Sequence, residues 1–429
     1  MTTARSTVAF LAALLTAAAA GWALMTPLAA TFGVAGSEGQ IRALLTSRSL
    51  AAAVGLLVAV AAAGALSRRG SVRTARLAAL LGLGLSVAVL VVNSDARQVE
   101  WLIAATYVAG IGAGLALGGA VVAATGRAEE VAVTGGALAA FLLVPYATAR
   151  LDLPMTVGWT AYAPLTDAGN AVDPAPWWLV LPAAVATLFA LLLGGGRAAR
   201  PSTRGGTVTL AVVLAALVTN AAIGATQDNR TVTWVLLGAF VTVVIGAAFL
   251  LDGQDGTLLL TTTAIVAAAA GTLPGTSDLT WVGVAILAVG VTVGVVAGVR
   301  WPGVVVGLTL LAAVCLIGVL PDVADGLGDV LRSFALAPVA GYAVGSCVGA
   351  RSGATVAGLA VLFVPSALTV AGQASESGLL GAQSPFTELP RGALATAPPD
   401  LPAVALAMTL VTLTLVAAVG ALRQRTEDR

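Results

Sequence analysis

The sequence has no histidine and no lysine, only two cysteines, and just 10% charged residues over 429 positions. Without imidazole there is no His-based metal site, general base or pH switch. Cys315 and Cys347 both lie inside apolar runs. That excludes a thiolate metal cluster and argues against a disulfide framework, so no metal and no other cofactor is expected. Soluble domains carry about 25% charged residues. A chain that is 59% apolar with a mean hydropathy of +0.99 has lipid as the solvent for most of its surface. A soluble enzyme, a secreted domain and a nucleic-acid partner are excluded. All 21 basic residues are arginine, which with the heavy Ala, Gly and Val content reads as GC-rich coding and a bacterial host.

What is present is apolar sequence in blocks long enough to cross a bilayer. About 20 residues of helix span roughly 30 Å of hydrocarbon. Fourteen such runs are found, near residues 7–30, 48–66, 77–93, 101–125, 131–149, 178–195, 207–226, 233–251, 257–273, 280–298, 302–320, 334–350, 354–372 and 400–422. The predicted fold class is an all-α polytopic membrane protein. Arginine tests this division independently, because cytoplasmic loops collect basic residues. With a cytoplasmic N-terminus, the inner loops hold 14 arginines and 6 acids, net +8; the outer loops hold 7 and 14, net −7. An even number of spans places both termini in the cytoplasm of a multi-pass plasma-membrane protein. Two outer loops are long, at about 150–177 and 373–399, and their Pro, Asp, Thr and Gly content reads as irregular caps.

The sequence also repeats itself. The fourth run carries Val108-Ala109-Gly110 followed by Gly114 and Gly118; the twelfth carries Val339-Ala340-Gly341 followed by Gly345 and Gly349. Ala137, Ala140, Leu142, Val144, Pro145 and Ala147 of the fifth run recur as Ala357, Ala360, Leu362, Val364, Pro365 and Ala367 of the thirteenth. Runs 1–6 then pair with runs 9–14 in the same orientation, a parallel repeat. This gives two six-helix bundles, 1–205 and 255–429, separated by an inserted helix pair at 206–254. Glycines at i, i+4 and i+8 share one helix face and admit another backbone at close range, so the ladders are read as helix-packing devices.

With these features in place, the sequence resembles the major facilitator superfamily, in its fourteen-span drug-exporter branch. The residues that carry the resemblance follow the second run: Gly64, Leu66 and Arg69 match the family's inner-loop signature, with Arg68 standing where it has Asp, and Gly70, Arg73 and Arg76 beyond. The fourth run is similar to the family's Gly-rich fourth helix, with Thr106 or Tyr107 in place of its Arg, and Val144-Pro145-Tyr146 keeps the proline of its fifth. The resemblance implies gating by Gly64, Arg68 and Arg69. It also implies a central cavity lined by spans 1, 4, 9 and 12, which puts Thr106, Tyr107, Tyr342 and Ser346 forward as substrate-binding residues.

Ionisable groups inside a span are costly and mark function, and the division above leaves none well inside a run. The remaining polar candidates are neutral, which suits a small apolar or weakly polar solute. No carboxylate pair or metal motif sits near a span on an outer loop, so the protein is not expected to be an enzyme. Its partners are the lipid bilayer and a small-molecule solute. Two functions from different classes stand: a secondary transporter, in the export direction, or a non-transporting membrane scaffold for envelope assembly that keeps the same architecture.

The topology makes a direct prediction. In a Cys315→Ala/Cys347→Ala background, a cysteine replacing Arg391 should react with a membrane-impermeant maleimide in intact cells. One replacing Arg127 should react only after lysis.

Overall fold

A computed structural model of the chain describes residues 2–25, 38–93, 99–149, 177–194, 203–225, 230–251, 254–270, 281–317, 327–347, 355–363 and 401–427. Among them are fourteen helices and no β-sheet. They are α1 (Thr2–Met25), α2 (Glu38–Arg69), α3 (Val72–Asn93), α4 (Val99–Ala123), α5 (Arg127–Ala149), α6 (Trp177–Leu192) and α7 (Thr203–Ala225). Then follow α8 (Arg230–Leu250), α9 (Gln254–Ala270), α10 (Trp281–Arg300), α11 (Val304–Ile317), α12 (Leu327–Gly345), α13 (355–363) and α14 (Leu401–Glu427). Each apolar run overlaps a described helix. Six helices contain a stretch long and apolar enough to cross a membrane unaided, on α1, α2, α3, α4, α10 and α14. The fold is all-α and polytopic. The long outer loops, apart from Trp177, together with Gly349, Val364, Pro365 and Ala367, lie outside the described residues.

Two helix starts differ from the expectation. The second helix begins at Glu38, ten residues before the apolar run, and its 32 residues extend roughly 48 Å at 1.5 Å per residue, well beyond the hydrocarbon. Hydropathy marks where a helix enters lipid, not where its hydrogen bonding begins. The same cause moves the start of α12 back to Leu327, which places Arg332 on the helix.

The chain divides into two compact units, Met1–Ser202 with Ser277–Ala285, and Thr203–Thr276 with Ile286–Arg429. In the first, α4 is central. It packs against α2, α3 and α1, while α1 also packs on α5 and α6, and α3 on α6. In the second, α9 packs on α12 and α14, α11 packs on α12 and α14, and α10 meets α12 through glycine contacts. The α13 helix reaches α9 through Gly358, which faces Leu258 and Thr262. These pairings are those of the first unit moved eight helices along the chain. The α7–α8 hairpin groups with the second unit, where α8 packs on α9 and α14.

The glycine ladders explain the closest pairings. A Cβ on Gly118 would lie 2.6 Å from the Ala59 carbonyl oxygen, and one on Gly55 2.5 Å from that of Gly110, so α2 and α4 touch backbone to backbone. A Cβ on Gly119 would stand 2.6 Å from the Ala75 carbonyl oxygen, seating α3 on another face of α4. In the second unit, a Cβ on Gly341 would stand 2.5 Å from the Val291 carbonyl oxygen, and Gly294 and Gly345 similarly join α10 to α12. Lipid gives helices no hydrophobic reason to associate, so contact at this range supplies the attraction. The repeated motif of the fifth and thirteenth runs forms interior faces: Ala137, Ala140, Leu142, Val144, Ala357, Ala360 and Leu362 are all buried.

Gly118→Leu and Gly341→Leu should each destabilise the protein by at least about 1–3 kcal/mol through overpacking. Gly84→Ala, which would meet nothing within 4 Å, should be neutral or stabilising by up to ~1 kcal/mol. Thermal unfolding in detergent distinguishes these outcomes.

Candidate functional site

In the first unit, the face of α4 carrying Gly110, Gly114 and Gly118 is turned onto α2, against Ala51, Gly55 and Ala59. Tyr107 continues that face one turn toward the helix start and is half-buried. Thr106 is fully buried, and its hydroxyl donates to the Leu102 carbonyl at 2.7 Å, a bond within its own helix. Thr106 and Tyr107 are thus adjacent in sequence but differ in role. One side chain is closed into the bundle, while the other stays partly accessible.

The resemblance assigns gating to the turn between α2 and α3. Arg68 and Arg69 are exposed there, and Gly64 has open space around it. Gly70 ends α2 with φ +64°, its N–H donating to the Leu66 and Ser67 carbonyls. This left-handed position favours glycine. Arg76, one turn into α3, faces the other way. Its guanidinium donates to the carbonyls of Ala190 at 2.5 Å and Gly194 at 2.6 Å, at the C-terminal end of α6. Gly194 has φ +133°, and the Arg5 guanidinium occupies the space where its side chain would be. Arg76 also feels the charges of Glu129 and Arg5. Glu129, in the first turn of α5, accepts the Thr125 backbone N–H at 2.7 Å. Two arginines on α1 and α3 therefore meet the negative end of the α6 dipole. From sequence Arg76 counted only as one more inner-loop charge; a spacing of three puts it close to the same helix face as Arg73, so no sequence signal separated the two.

In the second unit, Tyr342 and Ser346 come together on the last turns of α12, against the α10–α11 turn. The Tyr342 hydroxyl donates to the Trp301 carbonyl at 2.9 Å. Gly303 N–H donates to the Ser346 hydroxyl oxygen at 3.2 Å, and that hydroxyl donates to the Tyr342 carbonyl at 2.8 Å. Arg300 lies over the Trp301 ring, 5.5 Å from its centroid. Deeper in the unit, Thr261 of α9 hydrogen-bonds Cys347 at 3.3 Å.

Arg332, two residues before the twelfth apolar run, lies on α12, is 2% exposed, and its charge reaches Cys315 of α11, beside Thr412 of α14. Hydropathy reads it as a loop residue because the helix begins seven residues before the apolar run does. Among the described residues the other buried charged side chain is Asp255, in the first turn of α9.

No protein-family model and no curated protein matches the sequence. The fold does find counterparts among solved structures. The chain is similar to a POT family transporter crystallised with a thioalcohol-conjugated peptide, with a TM-score of 0.51 and 13% identity over 98% of this chain and 96% of that one. It also aligns with the human organic anion transporter MFSD10, with a TM-score of 0.49 and 17% identity over 96% and 98% of the two chains. A bacterial homologue of the human drug peptide transporters PepT1 and PepT2 aligns with a TM-score of 0.47 and 17% identity over 99% of both chains. The first likeness concerns the fold alone: the chain shares the all-α polytopic architecture of that POT family transporter.

Arg76→Gln should lower stability by about 1–3 kcal/mol, the cost of losing charge-assisted hydrogen bonds. Tyr342→Phe should cost about 0.5–1.5 kcal/mol. Both are read as shifts in thermal midpoint, with Arg76→Lys expected to restore part of the loss.

Proposed function

We propose that the protein is a secondary transporter of the major facilitator type, residing in the plasma membrane with both termini in the cytoplasm. It exports a small apolar or weakly polar solute by alternating access. The observation that carries this reading is the pairing scheme of α1–α6 recurring in α9–α14, an arrangement that transporters built from parallel repeats use to hold solute between halves. Tight intra-unit packing supports two bodies that move as wholes. The glycine ladders and the contacts of Arg76, Tyr342 and Ser346 each join helices of a single unit.

Among the proposed solute-contacting residues, Tyr107 is the strongest. It is half-buried on α4, and its phenol offers both a ring face and a hydroxyl. Thr106, Tyr342 and Ser346 contribute by positioning helices, since their hydroxyls are engaged with backbone groups. Arg68 and Arg69, on the last turn of α2, and Gly64, one turn before them, are the proposed gating residues, without the acidic partner their signature expects.

A second reading, a membrane scaffold that retains the architecture without transport, is favoured by one observation. The one buried carboxylate among the described residues, Asp255, sits at a helix start and not at mid-span, where a proton relay would be placed. Retention of the neutral lipophilic dye Nile red separates the two readings. Cells expressing the protein should hold less dye than vector controls, and Tyr107→Phe should raise retention at equal expression. Equal retention in all three would favour the scaffold.

A further inference from the structure

The turn between α2 and α3 carries more positive charge than its fold requires. Two residues, Gly70 and Ser71, reverse the chain, and Gly70 alone supplies the left-handed cap. The corresponding turn of the second unit, between α10 and α11, is made from Trp301, Pro302 and Gly303 with a single arginine, Arg300. Arg68, Arg69 and Arg73 are therefore additional to what the reversal needs, and all three are exposed. Arg73 also stands in the first turn of α3, where no acidic residue offsets it and the helix dipole disfavours a cation.

These side chains sit at a particular depth. By length and composition the apolar stretch of α2 runs to Arg69 and that of α3 starts at Val72, which sets the turn at the end of both stretches, where a bilayer's headgroups would lie. Arg73 also crowns an apolar stripe. At spacings of four, Leu77 and Leu81 follow it on the same face of α3, 53% and 59% exposed. The opposite face of that helix, through Ala75, Ala79 and Gly82, is seated on α4. On α2, Ala61 and Ala65 make a similar exposed line that leads to Arg68 and Arg69. Arg5 and Arg76 are absent from this surface because they are turned onto the end of α6. An exposed apolar stripe headed by Arg73, beside the turn that carries Arg68 and Arg69, matches one occupant: a phospholipid whose acyl chain lies along Leu77 and Leu81 and whose anionic headgroup meets the guanidiniums of the turn. Arginine suits the phosphate by its planar fork of donors.

We propose that the α2–α3 turn is a binding site for anionic phospholipid, formed by Arg68, Arg69 and Arg73 over the Leu77–Leu81 stripe. The full-length protein tests this in nanodiscs of phosphatidylcholine alone and of phosphatidylcholine with about 30% phosphatidylglycerol. Wild type should gain about 4 °C in thermal midpoint from phosphatidylglycerol, and should retain that lipid in native mass spectra. The Arg68→Gln/Arg69→Gln/Arg73→Gln variant should match wild type in phosphatidylcholine and lose both the gain and the retained lipid. Leu77→Ser/Leu81→Ser, which leaves the charges in place, should weaken retention. Equal gains for wild type and the arginine variant would overturn the proposal. So would reproduction of the gain by inorganic phosphate in phosphatidylcholine discs, or a variant that no longer folds while single Arg→Gln replacements, folded, keep the full gain.

Discussion

Everything in this structure depends on how helices attract one another where the solvent is as apolar as they are. A Leu side chain gains nothing by leaving lipid for another Leu, so the hydrophobic effect that builds soluble cores is missing between these helices. What remains is dispersion at short range and the few hydrogen bonds available. The chain meets that requirement with small residues. Gly110, Gly114 and Gly118 bring α4 onto α2, Gly119 brings it onto α3, and Gly294, Gly341 and Gly345 do the same between α10 and α12. Ala dominates the buried positions for the same reason. Bulky apolar side chains are divided between the interior, as with Phe141, Phe363 and Leu117, and the outer faces, as with Leu77, Leu81 and Val218, where lipid accepts them.

Polar groups then act where backbone contact ends. Side-chain hydroxyls within spans donate to the carbonyl four residues back, as Thr106, Thr262 and Thr263 do, which satisfies them without a partner helix. A smaller set joins helices: Thr16 with Thr187 at 2.8 Å between α1 and α6, Thr261 with Cys347 between α9 and α12, and the edge-on pair of Trp22 and Trp178. At the ends of the units, charge and backbone dipoles take over, with Arg76 and Arg5 on the end of α6, and Tyr342 and Ser346 on the α10–α11 turn. The two turns occupy equivalent places in the repeat but are held by different chemistry. Repeat symmetry therefore fixes the helix arrangement and leaves the ends free to diverge. The α2–α3 turn uses that freedom to present a basic surface, and the α10–α11 turn uses it to anchor Trp301.

Composition, the spacing of apolar runs and the alternation of charge between loops were enough to establish the class of protein and the number of helices, because each is a property of single segments measured against bilayer thickness. The repeat was legible as well, in the ladders around Gly110 and Gly341 and in the shared motif around Ala137 and Ala357, since packing at backbone contact tolerates few residue types. The tertiary structure alone decided which face of each helix is inside and where its ends lie. Arg73 and Arg76 are three residues apart, yet one looks outward and the other clamps α6. Tyr342 and Tyr107 share a local context, yet only one is tied to a neighbouring turn. Arg332 read as a loop residue until the hydrogen-bonded helix was seen to start before the apolar stretch. Hydropathy reports what the solvent accepts over a window of residues; the direction of one side chain depends on which neighbour comes within a few ångströms, and that information is not carried by the segment itself.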